Sequence, residues 1–319
     1  MTWEVRQGDC REAMATFHVS SVDAIVTDPP YGLAFMGKAW DHGVPGVPFW
    51  TDALRVAKPG AHLVAFGGTR TYHRLTCAIE DAGWEIRDCL MWLYGQGFPK
   101  GKAQLKPAWE PIVLARKAGP LWLNVDGCRV EGAVTSNPLV RNAGGYSGGL
   151  ANQGPTGAGR ESVGRWPANV LLDEDAAAML DEQSGTLTSG RLEPHHKKPG
   201  HSRIGTFEMR ERTGEPGSFG GDTGGASRFF YTAKASSGER HYAGKNSHPT
   251  VKPVDLMRWL CRLVTPPGGL IVDPFMGSGS TGVAAMSEGF RFLGIEQDAQ
   301  WCDVARSRIA GPLFAEAAP

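Results

Sequence analysis

Asp28-Pro29-Pro30-Tyr31 sets a carboxylate, two rigid prolines and an aromatic ring side by side. The motif closes the apolar run Val22 to Val26, which reads as a buried strand. Proline fixes φ and has no amide N–H, so Pro29 and Pro30 cannot continue a central strand and instead hold a stiff turn. Asp28 precedes Pro29 and is pushed towards extended backbone. The outcome is a fixed carboxylate, a fixed carbonyl and a flat ring facing one small volume. Such parts suit a planar amine, offering acceptors for its N–H groups and a π-face for its ring.

A second constellation lies far along the chain. Asp273-Pro274-Phe275-Met276-Gly277-Ser278-Gly279-Ser280-Thr281-Gly282 follows an apolar run and enters a helical pattern, and Glu296 ends the next apolar run. Glycines let the backbone turn sharply and approach a ligand. A phosphate-binding P-loop requires Gly-Lys-Ser/Thr, and this loop lacks the lysine. The dinucleotide pattern G-x-G-x-x-G is met by Gly277, Gly279 and Gly282, with Glu296 near the expected distance. Asp273 counts against that reading, because a carboxylate at the strand tip repels a pyrophosphate. It favours a ligand carrying an ammonium group, and S-adenosylmethionine has an ammonium, a ribose and no phosphate.

The elements that must position these groups alternate strand and helix. Val22 to Val26 and His62 to Phe66 read as strands, separated by a helix over Phe49, Trp50, Ala53, Leu54 and Ala57. Leu256, Met257, Leu260, Leu263 and Val264 give an amphipathic helix. Leu270 to Val272 is a strand, Ser280 to Glu288 a helix, Arg291 to Ile295 a strand, and Asp298 caps a last helix. This alternation predicts an α/β fold, Rossmann-like, with a mostly parallel sheet covered by helices on both faces.

The chain has 319 residues, 41% of them apolar, and zero formal net charge. Nucleic-acid contact must therefore come from a local patch. The six cysteines form no C-x-x-C pair, so neither a zinc site nor a disulfide framework is expected, and a reduced cytoplasm fits. No apolar run reaches the roughly 20 residues of a membrane helix. Glycine is abundant, with 43 residues, much of the excess in Gly144 to Gly164 and Gly214 to Gly225. Composition thus divides the chain into a discontinuous domain, 1–117 with 228–312, and an inserted, partly flexible module at 118–227. Within the insert, Lys197, Lys198, Arg203 and Arg210 belong to a basic run over 191–212. A solvated loop is the plainer reading of that run and a phosphate-binding patch the functional one. Lys100, Lys102 and Lys106 form a second basic group.

Taken together, these motifs resemble the amino-methyltransferases of DNA, which methylate exocyclic nitrogens of adenine or cytosine. Two further segments carry the likeness: Gln7-Gly8-Asp9-Cys10 and His248-Pro249-Thr250-Val251-Lys252-Pro253. The order, with the Asp28 motif first and the Asp273 motif last, is that of the permuted β class. Arg228 to Lys234 and Leu105 to Pro111 look like segments of phage or prophage modification methylases.

The resemblance implies S-adenosylmethionine as cofactor. The loop carrying Asp273, Phe275, Gly277, Ser278, Gly279 and Thr281 would wrap its methionine part. Glu296 would hold the ribose, and Asp9 and Cys10 would lie at the adenine. Lys252 would meet its carboxylate, and Thr250 and Gln297 would also contact the cofactor. The implied catalytic residues are Asp28, Pro29, Pro30 and Tyr31, acting on a base flipped out of duplex DNA. Asp at position 28 resembles the adenine-N6 enzymes, whereas Ser-Pro-Pro-Tyr/Trp is more typical of cytosine-N4 members. The insert would read the recognition sequence, and a homodimer and a role in restriction-modification follow by analogy. Two other readings stand beside this one: a catalytically silent DNA-binding protein, and methylation of RNA or of a protein amide.

Overall fold

The computed structural model describes residues 2–33, 43–97, 103, 105–136, 161–188, 222–234 and 251–311. Its centre is a nine-stranded sheet. In chain order its strands are β1 (Trp3–Gln7), β2 (Val22–Thr27), β3 (Ala57–Phe66), β4 (Glu85–Leu93) and β5 (Trp109–Arg116). After two small strands, β6 (Val130–Ser136) and β7 (Glu161–Arg165), which pair only with each other, comes β8 (Val170–Asp173). A second small pair, β9 (Leu187–Thr188) and β10 (Thr223–Gly224), precedes β11 (Tyr231–Ala233), β12 (Leu270–Asp273) and β13 (Arg291–Glu296). The spatial order is β1-β13-β12-β2-β3-β5-β4-β8-β11. Every neighbouring pair is parallel except the two made by β5.

Helices cover both faces. On one face lie α1 (Cys10–Ala15), α2 (Val47–Val56) and α3 (Tyr72–Asp81), burying Met14, Trp50, Ala53, Leu75 and Ile79 against Ile25, Leu63, Val272 and Leu293. After α4 (Glu174–Ser184), the other face is built by α5 (Val254–Val264), α6 (Ser280–Ser287) and α7 (Ala299–Ile309). These pack Leu256, Leu260, Val283, Ala305 and Ile309 onto Ala24, Val26, Val64, Ile271 and Phe292. Strand neighbours such as Val64 and Leu63 thus serve opposite layers, as the two-residue period demands. Each full burial of a Leu, Ile or Val side chain contributes about 1.5–3 kcal/mol. The caps follow the sequence: Asp298 accepts from the Gln300 N–H at 2.8 Å to start α7.

One strand of the central sheet, β8, comes from within 118–227. Val170–Asp173 lies inside that span yet sits between β4 and β11, with Met91 opposite Val170 and Tyr231 opposite Leu171. Four residues amid Gly, Pro and Asn leave little pattern to read, and only the free edge of β4 determines their place. Strand β3 is also longer than the expected His62 to Phe66, starting at Ala57.

Topology makes a site. From β2 the chain moves through α2 to β3, and from β12 through α6 to β13, in opposite directions and on opposite faces. Between β2 and β12 the strand order therefore diverges, and in open α/β sheets ligands bind outside the carboxyl ends of strands at such a point.

Candidate active site

Both chemical loops leave the sheet at this divergence. β2 and β12 are parallel neighbours, with Ala24 opposite Ile271 and Ile25 opposite Val272. At their carboxyl ends the Thr27 hydroxyl donates to Asp273 Oδ1 at 2.6 Å. That bond ties the root of the Asp28 turn to the root of the glycine loop. Gln7 and Glu296 end β1 and β13 in register along the same edge.

Four side chains meet beyond β2. Asp28 Oδ2 accepts from Lys252 Nζ at 2.7 Å, and Asp28 Oδ1 accepts from the Tyr31 hydroxyl at 2.7 Å. Glu110, on β5, brings its Oε2 to 3.0 Å from that hydroxyl and 3.3 Å from Lys252 Nζ. The single phenolic proton lies between the two carboxylates, while Lys252 donates to the phenol oxygen at 3.1 Å. Thr71 holds the turn by donating to the Tyr31 carbonyl at 2.6 Å. Burial, with the charges of Asp28 and Glu110 added, pushes the Tyr31 phenol well above its ordinary range. For Lys252 burial disfavours the ammonium, but the same two carboxylates outweigh it and hold the lysine above its usual value. Tyr94, close by, is pushed up to about 12 by burial, with Glu110 adding to the shift. The cluster is a charged lysine held by two carboxylates and a protonated phenol.

The glycine loop is braced from within. Asp273 accepts from Thr27 through Oδ1 and from Thr281 through Oδ2, each at 2.6 Å, and from the Phe275 N–H at 3.1 Å. At 1% exposure it is buried. Its oxygens are taken up by hydroxyls of the loop and of β2, and it serves as the knot that holds the two. Glu296 reaches across the loop, accepting from the Gly277 N–H at 2.9 Å and from the Asp298 N–H at 2.9 Å. Ser278 is fixed by Arg308, which donates to its carbonyl at 2.7 Å and to its hydroxyl at 2.9 Å. Gly277 and Gly279 both take left-handed backbone, with φ of 54° and 83°.

The first loop of the chain joins here. The Gly8 N–H donates to the Glu296 carbonyl at 2.9 Å, and Gln297 Nε2 donates to Asp9 Oδ2 at 3.3 Å. Asp9 also caps α1 through the Arg11 and Glu12 N–H groups. Cys10 is buried and its thiol is pushed up to about 12 by burial, so it stays neutral and packs. A cleft of about 540 Å³ opens beside Asp9, lined by Arg11, Glu12, Phe49 and Asp52. Phe49 meets Phe275 of the glycine loop at 5.7 Å between ring centroids. A curled backbone of small residues, an aromatic pair and an acidic rim together fit an adenosyl group with an attached amino acid.

Burial raises the Asp273 carboxyl from 3.8 to about 6. In that window the folded chain binds more protons than the unfolded one, so stability from this group is full below pH 4 and is lost as pH rises through 6. Ionising it in the fold costs about 3 kcal/mol more than in the unfolded chain. Urea unfolding of the wild type and Asp273→Asn from pH 4 to 7 should show their stability difference moving by about 2 kcal/mol towards the variant. A pH-independent difference would show that Asp273 is ionised throughout.

A family model described as DNA methylase, for the N6 and N4 methyltransferases, matches residues 22–307. The chain belongs to the DNA methylase family. Among curated relatives of this DNA methylase family member, the methylase YubD of Escherichia coli K12 is 44% identical over 69 residues, 22% of this chain and 30% of that protein. Type II methyltransferase M2.DpnII of Streptococcus pneumoniae is 39% identical over 79 residues, 25% of this chain and 29% of that protein. The matched segments thus span about a third of each relative. In fold, the chain is similar to the cytosine-N4-specific PvuII DNA methyltransferase, with a TM-score of 0.56 at 14% identity, covering 98% of this chain and 87% of that one. M1.HpyAVI, solved in complex with SAM, gives 0.51 at 17% identity, covering 96% of this chain and 100% of that one.

Against this family background the expected site residues divide into three groups. Asp28 to Tyr31, Asp273 to Thr281, Glu296, Gln297, Asp9 and Cys10 converge on one sheet edge. Lys252 lies among them but on Asp28 and Glu110, where the resemblance implied a place on the cofactor's carboxylate. Thr250, Lys197, Lys198, Arg203 and Arg210 lie outside the described residues, as do Lys100 and Lys102. Lys106 donates to the Gly95 carbonyl at 2.9 Å. Glu110 was not singled out from sequence. Its signal is a carboxylate between Trp109 and Pro111, at the start of the apolar run Ile112 to Ala115.

Proposed function

We propose that this member of the family transfers a methyl group from S-adenosylmethionine to the N6 amino nitrogen of adenine in duplex DNA. One observation carries the reading: an acceptor loop for a planar amine and a glycine loop for a cofactor leave adjacent strands, joined by the Thr27–Asp273 hydrogen bond. The glycine loop, Glu296 and the Asp9 cleft would hold the cofactor, which supplies an electrophilic methyl group on sulfur.

The amino nitrogen of adenine is a poor nucleophile because its lone pair is delocalised into the ring. Asp28 and the Pro29 carbonyl accept its two N–H groups, which favours a pyramidal nitrogen and returns the pair to it. Tyr31 positions the base through its ring. The proton leaves after the methyl group arrives, so no strong base is needed. Positioning and fixed dipoles supply the acceleration. A base inside a duplex cannot reach Asp28, so it is flipped out, at a cost of a few kcal/mol. The 118–227 region, with its basic run, reads the sequence around the target.

Unmodified duplex DNA incubated with the protein and methyl-labelled cofactor, then digested to nucleosides, tests this directly. N6-methyladenine is the expected product. N4-methylcytosine as sole product would move the same chemistry to cytosine, and cofactor binding without any labelled nucleoside would remove the transferase reading. Base-resolved detection on the same DNA then locates the modified site.

A further inference from the structure

Lys252 lies deeper than the carboxylates that hold it. Its side chain is 8% exposed, against 19% for Asp28 and 23% for Glu110. Phe66 closes the space on one side, its ring centroid 4.9 Å from Nζ. An ammonium has three N–H donors and no acceptor. Here they face Asp28 at 2.7 Å, the Tyr31 phenol at 3.1 Å and Glu110 at 3.3 Å. Among the described residues, all these partners lie on the Asp28 turn and on β5, not on the glycine loop. The cation stands on the amine side of the site rather than on the cofactor side.

We propose that Lys252 reads the target base. Asp28 and Lys252 form an acceptor and a donor side by side, matching the edge on which adenine and cytosine present an amino group next to an unprotonated ring nitrogen. This rests on the methyl-transfer reading above and extends it to base selection. As the base enters, its amino N–H takes an Asp28 oxygen, and the Lys252 N–H that faced Asp28 turns to the ring nitrogen. Glu110 is a positioning residue in this exchange. It keeps the ammonium paired while Asp28 is engaged, so no bare charge is left in the pocket. On the Watson–Crick edge of guanine and thymine the ring nitrogen carries a proton, which Lys252 would oppose. The flipped base is thus recognised at its Watson–Crick edge.

The test uses duplexes carrying the modified site, with the target adenine replaced by 7-deazaadenine, which keeps ring nitrogen N1, or by 1-deazaadenine, which lacks it. For a cytosine target, 3-deazacytosine takes the second place and cytosine itself the first. The wild type should methylate the substrate that keeps the ring nitrogen at least about tenfold faster, one lost hydrogen bond to a charged donor. In Lys252→Met that preference should vanish, because the better substrate slows to the rate of the poorer one. Titration with S-adenosylmethionine alone should give Lys252→Met an affinity within about threefold of wild type, as for a residue outside the cofactor's contacts. Equal use of both substrates by the wild type overturns the proposal, and this arm needs no variant. A tenfold or greater loss of cofactor affinity in Lys252→Met, about 1.4 kcal/mol, also overturns it by placing the lysine on the cofactor. A wild type that methylates no DNA sinks the transferase reading instead, while the cofactor titration still decides the side on which Lys252 works.

Discussion

Asp28→Ala is expected to lower methyl transfer by about 10²–10³-fold or more, the loss seen when one fixed charge-stabilising partner is removed from an active site. The effect is large because Asp28 is the charged acceptor of the turn, and no neighbouring carboxylate can replace it. Glu110 is held on β5, with its Oε2 on the Tyr31 hydroxyl and near Lys252 Nζ. The fold should survive the change. Lys252 retains Glu110 at 3.3 Å, so the variant leaves no unpaired ammonium. Cofactor affinity should stay within about threefold of wild type, since the loop braces at Asp273 and Glu296 do not pass through Asp28. Single-turnover rates with labelled cofactor, alongside calorimetric binding, separate the two effects. Undiminished transfer by Asp28→Ala would remove this residue from the chemistry.

Gly279→Val should damage the glycine loop severely. The position has φ +83°, and a Cβ there would stand 2.8 Å from the Ala305 Cβ and 3.1 Å from its Cα. Two costs add: left-handed backbone strain of about 1–2 kcal/mol, and overpacking of about 1–3 kcal/mol against a helix that cannot retreat. Because α7 is seated on the sheet through Ala305 and Ile309, the loop must move instead. Loss of more than about 2 kcal/mol in urea unfolding, with cofactor affinity down at least about tenfold, is the expected result. Gly289 provides the control. Its backbone is also left-handed, φ +78°, but nothing stands within 4 Å of a Cβ there. Gly289→Val should therefore show the strain alone, about 1–2 kcal/mol, with cofactor binding intact. Equal losses at the two glycines would show that the contact with α7 is not what constrains the loop.

The parts legible from sequence were those encoded by local pattern. The stretch from Leu256 to Ile309 alternates helical and strand periods with clear stops, and each expected element is present within a residue or two. Asp28 and Asp273 declared themselves by the company of prolines and glycines. What stayed hidden depends on partners far along the chain. β1 is a short edge strand with a broken burial pattern, and only β13 gives it a place. β8 has four residues and needs β4. Glu110 acquires a role, and Lys252 its place beside Asp28, only when β5 and the segment before α5 are brought to the Asp28 turn. Asp273 shows the converse. Its position at a strand tip was legible, but its hydroxyl partner Thr27 lies 246 residues away, and no local pattern announces that bond.

The pairing of β1 with β13, and of β2 with β12, also sets an order on synthesis. On the ribosome, Val22 to Thr27 can join β3 early, yet its other edge stays bare until residues near 270 emerge, and the strand at Trp3–Gln7 waits for those near 291. At about 5–20 residues per second that interval lasts roughly 15–50 s. Throughout it the nascent chain carries an apolar, unpaired strand edge, the kind that invites association with other chains. This side of the sheet therefore closes last, and a transcript cut short before residue 270 would release a chain with its earliest strands still open.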